Sequence, residues 1–141
     1  PNNLYVVERE SEQGRERLSV PLQGQLMRGR AMSVLAYQEA IAGIEPATAE
    51  LDRIFERFDA ILTPATPGVA PPAETTGDPS FCTPWSYCGT PAISLPILRG
   101  EGGLPLGVQL VARRGDDARL LRAAAWLTAQ CPGGHAGKIA A

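Results

Sequence analysis

The sequence predicts an α/β fold, and three observations predict it. Residues 18–58 carry apolar side chains at helical spacing, three short apolar runs with strand character follow, and a last amphipathic stretch at 116–130 reads as a helix. A chain of 141 residues fits one domain, and folding at that size buries roughly two thirds of the surface the unfolded chain exposes.

The first helical region is "LSVPLQGQLMRGRAMSVLAYQEAIAG", with Leu22, Leu26, Leu35 and Ile41 at compatible spacings and Pro21 suited to a first turn. Gly29 and Ser33 are expected to divide it. Ser33 suits an N-cap, because its hydroxyl can accept from a backbone N–H that has no helical partner. Pro46 lacks that N–H and crowds the preceding turn, so one unbroken helix over 34–58 is not expected and a kink or restart is expected there. Beyond it Ala47, Leu51, Ile54, Phe55 and Phe58 form one stripe, with Glu50, Arg53, Glu56 and Arg57 on the other side.

A strand is expected within 59–64, where the apolar run Ala60 to Thr63 meets prolines at 64, 67, 71 and 72 that remove ladder donors. Residues 65–86 then read as a Pro-rich loop, of a length that is commonly functional or disordered. "PAISLPI" and "LGVQLVA" are separated by "LRGEGG", whose glycines supply the torsions of a tight reversal, so 91–112 is expected to be a hairpin. Asp116 or Asp117 can cap the last helix, whose Leu120, Leu121, Ala124 and Leu127 share a face before "CPGG" stops it.

Composition removes several function classes. Thirteen basic and fifteen acidic residues are interspersed, giving a net charge of −2 and no phosphate-tracking surface, so no nucleic acid partner is expected. No apolar run approaches a membrane span, and "PNNLYVVERE" lacks the order of a signal peptide. No membrane association and a cytoplasmic setting are therefore expected. Cys82, Cys88 and Cys131 make an odd count that suits reduced thiols, and their spacing is poor for zinc, so neither a metal nor a cofactor is expected. Pro1, rather than a methionine, opens the chain, which points to a processed start or a piece of something longer.

The acid–base inventory is sparse. Lys138 is the only lysine and His135 the only histidine, both in a Gly-rich tail where a base is poorly placed for proton transfer. A complete Ser-His-Asp triad is not expected, and no glycine-rich phosphate loop is present. Asp78 in "TTGDPSF" has two readings, a carboxylate for a ligand's cationic or amide group and an Asx-type turn before Pro79. Phe81, Trp85 and Tyr87 either line an apolar pocket or plug the core where the loop returns. Cys82 and Cys88 have no cation near them in sequence to lower a thiol pKa, the closest arginine being Arg99, so inert thiols are expected over a cysteine-dependent hydrolase.

"FDAILTPATPGVAPP", "TGDPSFCTPWSYCGTPAISLPI" and "GLPLGVQLVARRGDDARLLRAAAWL" together resemble the carboxyl-terminal third of the amidase signature family. The likeness reaches back to "LMRGRAMSVLAYQEA" and covers roughly residues 18–128. It implies part of a mixed β-sheet flanked by helices, in an enzyme that hydrolyses or transfers amides with two serines and a lysine. Those three lie in a Gly/Ser-rich signature upstream of the matched region, so no catalytic residue is assigned here. "YCGTPAISLP" is then expected to be a strand entry beside the active site, with Gly89 allowing close backbone approach and Pro91 fixing the chain. Ser86 stands where many members place asparagine. Relatives acting on glutamine or asparagine hold the substrate's amino group with an aspartate seven residues before that asparagine, an offset that falls on Pro79 with Asp78 adjacent. This pattern is similar to the broadly specific amidases more than to the transfer-RNA amidotransferase subunits. Asp78, Phe81, Trp85, Ser86 and Tyr87 are the candidate substrate-binding residues. The implied partners are the missing N-terminal catalytic part, a small amide substrate in the intact enzyme, and a second copy of the chain through unpaired sheet edges. The alternative is a non-catalytic α/β interaction module on the same scaffold.

Overall fold

The computed structural model describes residues 12–131. It divides between Ile44 and Glu45 into two compact units. His135 and Lys138 lie outside the described residues.

In the first unit, helix α1 (Val20–Ala31) carries Pro21 in its first turn, where the missing N–H has no acceptor to lose. Gly29 stays inside α1, and the break falls at Met32, whose backbone is extended. Ser33 caps α2 (Val34–Ala42), its Oγ accepting from the Ala36 N–H at 3.1 Å. Helix α3 (Ile44–Phe55) begins at the division itself, two residues ahead of Pro46, which sits in the first turn, so the restart comes before the proline.

In the second unit, strands β1 (Ile61–Pro64), β2 (Ala92–Arg99) and β3 (Pro105–Val111) form an antiparallel sheet in the order β1-β3-β2. The β2–β3 reversal is a short 3-10 turn, Glu101–Gly103, in which Gly102 and Gly103 adopt φ of 64° and 74°. Pro96 lies inside β2 at a register shift between Leu95 and Leu98, since it has no N–H for the ladder.

Helix α4 spans Thr83–Cys88, and α5 spans Asp117–Gln130. Thus the segment expected to be loop up to residue 86 turns helical at 83. Pro84 falls in the first turn of α4, a place that suits proline rather than one it breaks. The Thr83 hydroxyl donates to the Pro79 carbonyl at 2.9 Å, and the Ser86 N–H to the Cys82 carbonyl at 3.1 Å. Tyr87 and Cys88 accordingly end a helix instead of entering a strand.

The two faces of the sheet have different roles. Register aligns Leu62, Leu110 and Ile93 on one face. There Leu110 and Ala112 pack with Leu120 and Ala124 of α5, bordered by Leu95, Ala123 and Leu127. Each fully buried leucine of this kind stabilises by about 1.5–3 kcal/mol. The opposite face aligns Thr63, Gln109 and Ser94. Asp116 caps α5 through the Arg119 N–H at 3.3 Å. Arg113 pairs with Asp52 at 2.9 Å, and Arg119 with Asp59 at 3.4 Å. These pairs are solvent-exposed and contribute about 0–1 kcal/mol each.

Candidate functional site

The polar sheet face meets α4 across an open depression of about 480 Å3. Trp85 and Ser86 of α4, with Cys82 ahead of them, form one wall; Thr90, Pro91 and Ala92 form the strand entry; Gln109 comes from β3; Gly115 and Asp117 come from the start of α5. Of the five candidate substrate-binding residues, the structure therefore brings Trp85 and Ser86 together here. Asp78, Phe81 and Tyr87 are not among the lining residues. The Asp78 carboxylate accepts from the Ser80 N–H at 2.8 Å, which is the Asx turn weighed for it.

Gly89 decides how α4 ends. Its φ of 65° and ψ of 30° are left-handed, and its N–H donates to the Trp85 carbonyl, as a helix C-cap requires. A Cβ at this position would lie 3.4 Å from Arg114 Nη2 and 3.5 Å from Nε. Arg114 donates through Nε to the Cys88 carbonyl at 3.1 Å and through Nη2 to the same oxygen, while Nη2 also reaches Thr48 Oγ1 at 3.4 Å. One guanidinium thus satisfies a terminal helix carbonyl, joins α4 to α3, and occupies the space that glycine leaves. Sequence order had placed Arg99 as the cation closest to Cys88; in the fold Arg114 comes to it, at the backbone oxygen.

Gln109 is only 6% exposed and is the buried polar residue among those described. Its Oε1 accepts from Thr63 Oγ1 at 3.2 Å. Sequence reading passed over it inside "LGVQLVA", although a lone polar residue in an apolar period-2 run was a usable signal. Trp85 Nε1 is shielded from solvent and has no hydrogen-bond acceptor. Among the described residues no cluster of three or more His, Cys, Asp or Glu side chains could hold a metal, and no helix is long and apolar enough to cross a membrane. Cys82, Cys88 and Cys131 are free thiols.

On the other sheet face a larger groove of about 730 Å3 runs between β1 and α5, with Phe58, Leu62, Leu110, Trp126 and Leu127 among its lining. Leu62 and Trp126 remain 60% and 65% exposed.

Residues 6–121 match the family model described as Amidase. The chain belongs to that family. Among its relatives, a glutamyl-tRNA(Gln) amidotransferase subunit of Brevibacillus brevis is 39% identical over 83 residues, which is 53% of this chain and 17% of that protein. A fatty acid amide hydrolase of Medicago truncatula is 34% identical over 91 residues, covering 55% of this chain and 15% of that protein. A solved amidase superposes with a TM-score of 0.78 at 30% identity, over 90% of this chain and 32% of the other. A 6-aminohexanoate cyclic dimer hydrolase shares the fold, with a TM-score of 0.73 at 22% identity. The amidase-family chain therefore spans about a sixth of the curated relatives' length and about a third of the solved structures'.

Proposed function

We infer that this chain is the carboxyl-terminal portion of an amide-bond hydrolase of the serine–serine–lysine type, that it holds none of those three residues, and that it supplies substrate-pocket wall and sheet strands. The observation that carries this reading is the depression itself. In an amidase-family chain, the segment around α4 and the β2 entry forms a concave, mostly uncharged surface, as small-molecule pockets do. Trp85 and Ser86 are its substrate-facing residues, while Phe81, Tyr87 and Asp78 shape the approach to it. The remaining catalytic part is the partner that completes the pocket. Two features support a partner of this kind: the outer edges of β1 and β2 have no neighbouring strand among the described residues, and the open β1–α5 groove exposes Phe58, Leu62 and Trp126 among the charged residues Arg57, Asp59, Arg119 and Arg122.

The test joins sequence and assay. This polypeptide alone is expected to leave benzamide unhydrolysed. The same chain expressed with the coding region upstream of Pro1 is expected to hydrolyse it, through a Gly/Ser-rich segment and a lysine whose replacement by alanine abolishes turnover. Hydrolysis by the isolated chain, or an upstream region without such a segment, would overturn the reading.

A further inference from the structure

We propose that Arg114 is a positioning residue for the substrate depression: its guanidinium ties the end of α4 to the β3–α5 connection and so sets how far apart the two rims of the depression stand. This deepens the pocket-wall reading, on which it rests, by naming what holds the wall in place.

The two rims are built differently. One is α4 and its exit, through Trp85, Ser86, Gly89 and Thr90; the other is the connection after β3, through Gly115 and Asp117. The second rim is anchored, because it runs from the central strand of the sheet into α5, whose Leu120 and Ala124 are buried against that sheet. The first rim has less to hold it. The elements packed closely on one another in this unit are the three strands and α5, and α4 stands outside that set. With six residues, α4 is far too short to be stable by its own hydrogen bonds. At its start the Cys82 thiol, a weak donor, reaches the Ala65 carbonyl at 3.7 Å.

Arg114 joins one rim to the other. It directly precedes Gly115, and its Nε and Nη2 both donate to the Cys88 carbonyl. That oxygen is one of those a helix end leaves without an intrahelical partner, and it belongs to a residue only 5% exposed. Nη2 also reaches Thr48 Oγ1 on α3, which fixes the guanidinium from a third direction. The neighbouring Arg113 pairs with the Asp52 carboxylate. Arg114 instead aims a rigid planar fork at neutral oxygens, so its contribution lies in orientation more than in charge. The left-handed Gly89 beside it keeps that path clear of a Cβ. Removing the guanidinium therefore loosens the end of α4 and changes the width of the depression, while every lining side chain stays in place chemically.

The test has two readouts. In the isotopically labelled chain, hydrogen exchange at the Gly89 and Thr90 amides, which both donate to the Trp85 carbonyl, reports how firmly α4 ends. Arg114→Ala is expected to speed exchange there at least about tenfold relative to the β3 amides, whose rates register any change in global stability. Arg113→Ala removes the same charge one residue away and is expected to leave that ratio unchanged. In the intact enzyme, the chain joined to its upstream coding region, Arg114→Ala is expected to raise KM for benzamide roughly three- to tenfold with kcat held within about twofold, since the guanidinium touches the wall and not the reacting atoms. The bulkier naphthamide is expected to lose less, so the ratio of the two KM values moves in its favour. Arg114→Lys keeps the charge on a flexible stem without the fork and is expected to fall between parent and alanine in both readouts, which preserves the test where alanine impairs folding. Unchanged exchange at Gly89 and Thr90, or the same effects from Arg113→Ala, would overturn the clamp and leave the pocket wall standing. A fall in kcat at unchanged KM would overturn the positioning role alone. Faster exchange with both KM values unchanged would overturn the positioning role and the wall reading together.

Discussion

Replacing Gly89 by alanine tests how α4 is held. The left-handed backbone costs a residue with a Cβ about 1–2 kcal/mol, and the stiffer unfolded chain returns about 0.4–1 kcal/mol of that. The new Cβ would stand 3.4 Å from Arg114 Nη2, a contact that the flexible guanidinium relieves by shifting. That shift weakens a charged hydrogen bond to the Cys88 carbonyl, an interaction of about 1.5–3 kcal/mol when fully made. The net expectation is a loss of about 1–3 kcal/mol and a midpoint lowered by roughly 3–10 °C. Urea and thermal unfolding followed by circular dichroism read it. An Arg114→Ala background separates the two contributions: with the clamp gone, Gly89→Ala is expected to cost less, with a coupling of about 0.5–1.5 kcal/mol. An alanine variant as stable as the parent would refute the left-handed cap. Strict additivity in the double variant would refute the part assigned to Arg114.

Two further outcomes follow from the same fold. Asp116→Ala removes the side-chain acceptor at the start of α5 and is expected to lower stability by about 1 kcal/mol; Asp117→Ala, one residue inside the helix, is expected to change it by less, and equal effects would count against the cap. Sedimentation velocity is expected to show the chain self-associating as concentration rises, with Leu62→Lys and Trp126→Glu together restoring monomer, because they place charge on the open β1–α5 groove. A compact monomer at every concentration would remove the argument from exposed edges.

Local chemistry made much of this molecule legible in the sequence. Prolines at first turns, the Ser33 and Asp116 caps and the glycines of the β2–β3 turn act within a few residues of themselves, so their positions in the sequence announce their roles. The co-occurring motifs carried the family, since no single one of them is specific. Helix α4 was hidden because its first residues fall in the stretch read as a Pro-rich loop, whereas Pro84 in a first turn is compatible with the helix that follows.

The candidate site divides along the same physical line. Trp85 and Ser86 were visible as a polar and aromatic cluster in one segment. Gln109 and Arg114 were not, because their partners lie far along the chain: Thr63 is brought beside Gln109 only by the β1–β3 register, and Cys88 reaches Arg114 only when α4 ends under the β3–α5 connection. Burial and hydrogen-bond satisfaction are properties of the assembled sheet. The strand pattern alone determined that residue 109 would point away from Leu110; the fold, which brings Trp85 and Ser86 of α4 to the same depression, decided that it would line one.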